Sequence, residues 1–152
     1  MSDLPNHDFV APEPSASTGA AELFERVLEG FRVGDPQPWI DLLADDAVLE
    51  IPFAPPGRPQ RIDGKRHIIQ YLHTYADRIT ITQFTDVQIH RLIDPNSVVA
   101  EMTAHGMVRA TGETYDMRYV VVVRTTEGRI RLYRDYWNPL TALGTEALEP
   151  TE

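Results

Sequence analysis

Cysteine is absent from all 152 residues of the chain. Disulfides, thiolate catalysis, iron–sulfur clusters and cysteine-ligated zinc sites are therefore excluded. No apolar stretch approaches the roughly 20 residues that span a bilayer. The first five residues form neither a basic segment nor an apolar run typical of a secretory signal. We therefore expect a cytoplasmic protein that makes no contact with a membrane.

Basic residues are also scarce, because 14 Lys and Arg stand against 23 Asp and Glu, giving a net charge of -9. Segments 1–19 and 145–152 hold three acidic residues each and no Lys or Arg. The remaining 17 acidic and 14 basic residues leave segment 20–144 with a net charge of -3. A surface that binds nucleic acid needs a basic face, so we expect no nucleic-acid partner.

The chain further lacks an internal repeat, a glycine-rich phosphate loop and a pair of histidines at the helical spacing of a metal site. Its histidines and acidic residues do not combine into a convincing set of metal ligands. We therefore predict neither a bound metal nor another cofactor.

The two ends of the chain differ in composition from the segment between them. Residues 1–19 are rich in Pro, Ser, Ala and acidic residues without periodicity, and 145–152 is short and acidic. Such segments bury too little apolar surface to offset the entropy of ordering them. We predict a disordered acidic tail at 1–19, one domain at 20–144 and a flexible C-terminal tail at 145–152.

Apolar residues recur at helical spacing in three segments of the first half of the domain. The first helix is expected to end at Gly34, and a short second helix to open at Pro36 or Pro38. A third helix is expected to follow Gly64, with Tyr71 and Tyr75 on its apolar face.

Strand patterns fill the rest of the domain. A turn is predicted at 44–46, and proline-rich sequence should follow the next strand. Beyond the third helix the apolar period changes to two. The predicted strands are 47–53, 79–91, 97–110, 115–126 and 129–138. Short connections make neighbouring strands antiparallel, so we expect an α+β fold in which a curved sheet wraps around three helices.

The run Val120–Val123 is apolar on both of its strand faces. Such a strand is expected to be covered on both sides, but a chain of this length has too few helices for that. A second copy of the chain is the simplest cover for the outer face. We therefore predict a homodimer.

One carboxylate, Asp135, lies inside an aromatic strand that ends before Pro139. Strand alternation places Asp135 on the same face as Arg131, Tyr133 and Trp137, with Ile130 facing the other way. Large rings around a carboxylate raise its pKa by desolvation, which suits proton transfer near neutral pH. The alternative is an ordinary ion pair with a neighbouring arginine at the rim.

Other candidates carry a functional and a structural interpretation. The rings of Tyr71 and Tyr75 could meet a ligand, with the phenols stabilising oxyanion charge, or simply fill the core. His105 is opposite the small apolar face of its strand, so we expect it on the convex or dimer face. Four cations surround the proline-rich loop, either as a solvated surface or as a lip that attracts carboxylated substrates. They are Arg58, Arg61, Lys65 and Arg66.

Four motifs, in this order, resemble the nuclear transport factor 2-like superfamily, and most closely the SnoaL-like polyketide cyclases and the phenazine-biosynthesis A/B proteins. They are the stretch 44–50 (Ala-Asp-Asp-Ala-Val-Leu-Glu), Gly64 before a helix, the turn 127–130 and the closing stretch 134–139 (Arg-Asp-Tyr-Trp-Asn-Pro). The resemblance covers about residues 20–144. It implies a cone-shaped α+β barrel around three N-terminal helices that encloses an apolar pocket.

The resemblance also bears on the site. Ketosteroid isomerases of this fold keep their base where this chain has Ile51, and limonene-epoxide hydrolases keep an Arg and an Asp where it has Met102 and Ala104. Neither mechanism is therefore expected. SnoaL-like cyclases and phenazine-biosynthesis A/B proteins keep an acid that matches Asp135. The His and Ser that the phenazine proteins carry on the third helix correspond to Tyr71 and Tyr75.

Together these observations lead to one functional hypothesis and one alternative. The hypothesis is a cofactor-free isomerase, cyclase or dehydratase that binds a small hydrophobic or cyclic compound, with Asp135 as acid/base and Tyr71 as hydrogen-bond donor. The residues expected to contact the substrate are Tyr75, Phe53, Met102 and Trp137. The alternative is a ligand-binding or dimerisation module of the same fold without chemistry.

Overall fold

The computed structural model describes residues 18–142. The predicted C-terminal tail, and all of the predicted N-terminal tail except residues 18 and 19, lie outside the described residues. Within residues 18–142, no helix combines the length and the apolar character needed to cross a membrane.

The three predicted helices are present, and each boundary has a local cause. Helix α1 spans Ala20–Arg32 and buries its apolar face, and the chain then turns at Gly34, whose φ of 74° is unfavourable for other residues. Helix α2 spans Gln37–Leu42 with a proline in its first turn. Helix α3 spans Lys65–Arg78 and follows Gly64, whose φ is 90°.

A single six-stranded sheet forms the rest of the fold, with a short helix α4 after it. The elements are β1 Leu43–Glu50, β2 Arg61–Asp63, β3 Ile79–Arg91, β4 Ser97–Val108, β5 Thr114–Thr126, β6 Arg129–Trp137 and α4 Pro139–Ala142. The strand order is β2-β1-β6-β5-β4-β3, and only the β1–β6 pair is parallel. The predicted α+β fold is confirmed, and the sheet is curled and open, with β2 and β3 at its edges.

The first strand departs from its prediction. Residues 44–46, predicted as a turn, lie inside β1, which ends before Pro52 instead of including it. Leu43 pairs with Ile130 and Val48 pairs with Leu132, with an irregularity between the two pairs. Tertiary pairing with β6 therefore extends this segment as a strand through two aspartates whose local preference is for a turn.

The face of the sheet that meets the helices carries the core. Alternation on β4 places Ala100, Met102 and Ala104 on this inner face, where they are buried. Trp39 of α2 packs edge-on against Tyr133 of β6, with ring centroids 5.3 Å apart. The helices thus cover the inner face of the central strands.

A register shift between Arg124 and Thr125 corrects one prediction about β6. Beyond the shift, Ile130 pairs with Thr125 and is fully buried, while Arg131 is exposed and pairs with Asp46. The expectation that Ile130 faces away from Tyr133 is therefore wrong. A bulge inserts one residue into the ladder and inverts the alternation on one side of it.

Candidate active site

Strand register brings Asp135 onto the inner face of the sheet. Asp135 lies opposite Val121 of β5, and Val121 lies opposite Ala100 of β4. Both of these apolar partners are at most 1% exposed. The carboxylate therefore projects from the middle of the sheet toward the side that the helices cover, and it shares this face with Tyr133 and Trp137, as strand alternation predicts.

The Asp135 carboxyl is desolvated and incompletely bonded. Its Oδ1 is buried and has no hydrogen-bond partner among the described residues, although the residue as a whole keeps partial exposure. Burial raises the pKa of Asp135 from 3.8 to about 7. The neighbouring arginines bind other acids: Arg131 contacts Asp46, and Arg134 Nε donates to Glu50 Oε2 at 2.6 Å.

Tyr71 of α3 supplies a half-buried phenol near this carboxyl. Burial raises the pKa of Tyr71, and the negative charge of Asp135 raises it further, whereas Arg58 and Arg78 act in the opposite direction. Its hydroxyl makes no hydrogen bond to another described residue. Tyr71 is therefore neutral at physiological pH and has an O–H available to donate to a ligand.

A cluster of three phenols, which we call the tyrosine cluster, lies on the same side of the sheet. Tyr75 of α3 places its hydroxyl 3.3 Å from that of Tyr115 and 3.2 Å from that of Tyr119, and the latter two hydroxyls also contact each other. Burial raises the pKa of all three, and the charge of Asp135 raises each one further.

Sequence reasoning singled out Tyr75 but missed its two partners on β5. Tyr115 and Tyr119 share the strand face of Val121, so alternation along β5 could have indicated that both phenols lie on the inner face. Tyr133, which is also buried, feels the charge of Asp135 as well, and its pKa is raised first by burial and then by that charge.

The predicted substrate-contacting residues separate into two groups. Met102 lies opposite Tyr119, and Tyr119 lies opposite Trp137, so both predicted residues share the inner face with Asp135. Phe53 is 57% exposed and packs edge-on against Tyr136, which alternates with Asp135 and points outward. The structure does not bring Phe53 together with Asp135.

His105 lies on the outer face, as the strand pattern predicts. Its Nδ1 is 2.6 Å from Asp116 Oδ1, and its Nε2 is 2.6 Å from Thr85 Oγ1. These contacts form a polar network across β3, β4 and β5, on the side of the sheet opposite Asp135.

The four candidate cations have different surroundings, and Arg58 acts through its charge on the pKa of Tyr71. Arg61 pairs with Asp63 and Glu50, and Lys65 and Arg66 line a shallow surface cavity of about 470 Å³ on α3. A second surface cavity of about 560 Å³ lies between the start of α1 and the β3–β4 turn. Neither cavity is lined by Asp135 or by the tyrosine cluster. The candidate site is therefore defined by its carboxyl and phenol groups and not by either cavity.

No group of three or more His, Asp or Glu side chains within residues 18–142 is arranged to hold a metal ion. The groups that the fold brings together on the inner face are one carboxyl and several phenols. Such groups can bind an organic ligand by hydrogen bonds and exchange a proton with it.

Related proteins match this chain over most of its length. Residues 24–133 match the model of the SnoaL-like domain. An uncharacterised PhzA/B-like protein of Pseudomonas aeruginosa is 37% identical over 133 residues, which cover 88% of this chain and 92% of the relative. The family resemblance inferred from the sequence is confirmed.

Solved structures agree with this family. A crystal structure of a candidate isomerase from Bacillus subtilis is 39% identical, covers 85% of this chain and 91% of its own, and has a TM-score of 0.75. A candidate polyketide cyclase from Pseudomonas putida is 22% identical, covers 79% and 92% of the two chains, and has a TM-score of 0.69. The second comparison shows a shared fold alone.

Proposed function

Since the chain belongs to the family of SnoaL-like domains, we propose that it is a cofactor-free enzyme that isomerises, cyclises or dehydrates a small cyclic or polyketide-like compound by moving protons. The observation that carries this proposal is the Asp135 carboxyl, which has a buried oxygen without a partner among the described residues and a pKa of about 7. An acid/base catalyst is most effective when its pKa lies near the working pH.

The proposal gives two residues distinct roles. Asp135 takes a proton from one position of the ligand and returns it at another, because both of its protonation states are populated near neutral pH. Tyr71, whose hydroxyl has no hydrogen-bond partner within residues 18–142, donates its O–H to the ligand and holds it beside the carboxyl. The apolar neighbour of Asp135 on β5, Val121, keeps the carboxylate poorly hydrated and therefore basic.

Of the two solved structures, one supports the reaction class and the other supports the fold. The 39% identical structure is described as a candidate isomerase, and a proton shift between two carbons is an isomerisation. The candidate polyketide cyclase supports the fold alone. The particular reaction and substrate are our proposal.

A specific observation favours the alternative of a binding module without chemistry. Ile51, at the position where ketosteroid isomerases of this fold keep their base, is 2% exposed and apolar. Met102 and Ala104, at the hydrolase positions, are likewise buried and apolar. Asp135 is thus the carboxyl on which catalysis depends, and its substitution decides between the two functions.

Carbon-bound hydrogen exchange tests the proposal without knowledge of the natural substrate. A panel of small cyclic ketones, diketones and enones is incubated with the protein in D₂O, and NMR follows the loss of each C–H signal. We expect the wild type to accelerate exchange of at least one compound. Asp135→Asn should lower this rate by a hundredfold or more, since a general base typically contributes about 10²–10⁴-fold.

The matched control is Asp77→Asn, which removes an exposed carboxylate from α3. This variant should keep the wild-type exchange rate. Full exchange activity in Asp135→Asn would refute the role of Asp135. Binding of panel compounds without any accelerated exchange by the wild type would favour the binding module.

A further inference from the structure

The tyrosine cluster, Tyr75, Tyr115 and Tyr119, has a composition that core packing alone does not require. Phenylalanine fills nearly the same volume, whereas each buried hydroxyl must be hydrogen-bonded to avoid a desolvation cost. The three hydroxyls satisfy one another, at 3.3 and 3.2 Å for the two pairs that involve Tyr75. The fold thus gathers three hydroxyls at one point of the face that also carries Asp135.

The hydroxyls of this cluster can donate outward. The three hydroxyls are in mutual contact, and when two of their O–H groups bond within the cluster as an open chain, the third O–H can donate to a ligand. Each bond in such a chain polarises the next and makes the last donor stronger. Burial raises the pKa of Tyr75 and Tyr119 well above 10, so both remain protonated donors. Both residues also keep partial exposure, which leaves room for a ligand to approach.

The distance from the cluster to Asp135 suits a conjugated ligand. Tyr119 lies opposite Trp137, and Val121 lies opposite Asp135, so Tyr119 and Asp135 are diagonal neighbours on one sheet face. Diagonal neighbours have Cβ atoms about 7 Å apart. A ligand between them can present a C–H group to the carboxylate and a carbonyl oxygen to the phenols at the same time.

We propose that the hydroxyls of Tyr75, Tyr115 and Tyr119 bind the carbonyl oxygen of the substrate and stabilise it as an oxyanion. The substrate class is therefore a cyclic ketone or enone with an acidic C–H group. This inference rests on the proposed function of Asp135 as the base.

The proton-transfer step balances without a further reactant. The Asp135 carboxylate takes a proton from a carbon adjacent to the carbonyl or conjugated with it. The C–H electron pair forms a new C=C bond, and the C=O π pair moves onto oxygen, which accepts hydrogen bonds from the phenols. Protonated Asp135 then returns the proton to another carbon, which isomerises the compound. In a cyclisation the enolate carbon attacks a second carbonyl of the same molecule, and the proton passes to the new alkoxide.

Binding of 4-nitrophenol tests the cluster independently of turnover, because its absorbance distinguishes the phenol from the phenolate. The phenolate oxygen has the charge that the cluster is proposed to stabilise. The titration is made in the Asp135→Asn background, where no carboxylate repels the anion, and we expect the phenolate to bind several-fold more tightly there than to the wild type. Adding Tyr75→Phe or Tyr119→Phe should weaken phenolate binding about tenfold or more, since oxyanion donors contribute strongly in dry sites.

Tyr136→Phe is the matched control, because Tyr136 lies on β6 but points to the outer face. It should leave phenolate binding unchanged. The two test variants lie on different elements, α3 and β5, so a folding defect in one does not remove the test. Equal phenolate affinity in Tyr75→Phe, Tyr119→Phe and Tyr136→Phe would overturn the proposal.

The same variants distinguish the failure of this inference from the failure of the proposed function. In the exchange assay, Tyr119→Phe should lower kcat by about a hundredfold and change KM little, because the donor acts mainly on the charged state. Weakened phenolate binding together with undiminished exchange in Asp135→Asn would refute Asp135 as the base while retaining the anion site. If Tyr75→Phe and Tyr119→Phe leave phenolate binding unchanged while Asp135→Asn loses exchange, the tyrosine site is refuted and the role of Asp135 stands.

Discussion

Asp135 lies directly opposite Val121 across the β5–β6 ladder, so the carboxyl shares the inner face with a fully buried member of the valine run. The register pairs a group that prefers water with a neighbour that excludes it. This pairing explains why burial raises the pKa of Asp135. Burial of this carboxyl therefore lowers the stability of the folded protein once the carboxyl ionises, and the same burial lets it titrate near neutral pH.

The first prediction concerns stability as a function of pH. Because the folded-state pKa of Asp135, about 7, exceeds the ordinary value of 3.8, the folded state holds a proton that the unfolded state has lost between these two pH values. The stabilising contribution is fully present below pH 4 and is lost as the pH rises toward 7.

Asp135→Asn removes this titration, so its free energy of unfolding relative to wild type should increase from pH 4 to pH 7 and stay level above. One pKa unit corresponds to about 1.4 kcal/mol, which sets an upper bound of about 4 kcal/mol for the change. Partial exposure of Asp135 should reduce it. Urea unfolding at several pH values measures the difference, and a pH-independent difference would contradict the raised pKa.

The second prediction concerns the pH profile of catalysis. A base must be deprotonated, so kcat/KM of the exchange reaction should fall below about pH 7, approaching tenfold per pH unit. Residual exchange in Asp135→Asn should not show this decrease in kcat/KM at low pH. A wild-type profile that stays flat down to pH 5 would argue that another group is the base.

The third prediction concerns the sheet. A Cβ added at Gly106 would collide with the backbone oxygen of Thr80 on the neighbouring strand. Because backbone cannot rotate away, Gly106→Ala should destabilise the protein by several kcal/mol or prevent its folding, which thermal unfolding would show. Thr103→Ala on the same strand should change stability by about 1 kcal/mol or less. Comparable melting temperatures for the two variants would contradict the close approach of β3 and β4.

The fourth prediction concerns assembly. Val120 and Val122 alternate with the buried Val121 and Val123, so they lie on the outer face, where each is half-buried in the single chain. We expect a homodimer through this face, and Val122→Lys should shift it toward the monomer. Light scattering at micromolar concentration measures both masses. Thr126→Lys, at the exposed end of β5, should remain dimeric, and a monomeric wild type would refute the prediction.

The fifth prediction concerns the N-terminal segment. Residues 1–15 are acidic and aperiodic in sequence, so deleting them should leave the melting temperature nearly unchanged. Calorimetry on the full chain and the deletion variant measures the change. A loss of several degrees would show that the segment contributes to the folded protein.

Sequence patterns predicted the helices, four of the strands and the shared face of Tyr133, Asp135 and Trp137, because these depend on local periodicity and on turn residues. Gly34 and Gly64 mark helix boundaries through backbone conformations that disfavour side chains. The alternation of Tyr133, Asp135 and Trp137 follows from the two-residue strand period.

Only the tertiary structure decided the features that depend on pairing between distant segments. The parallel β1–β6 pairing drew residues 44–46 into a strand, and the bulge beside Thr125 turned Ile130 inward. Contact between α3 and β5 assembled the tyrosine cluster, in which Tyr115 and Tyr119 lie 40 and 44 positions after Tyr75 in the sequence. Local periodicity fixes which face a side chain occupies, whereas the register between strands and the packing of a helix over them fix which side chains meet.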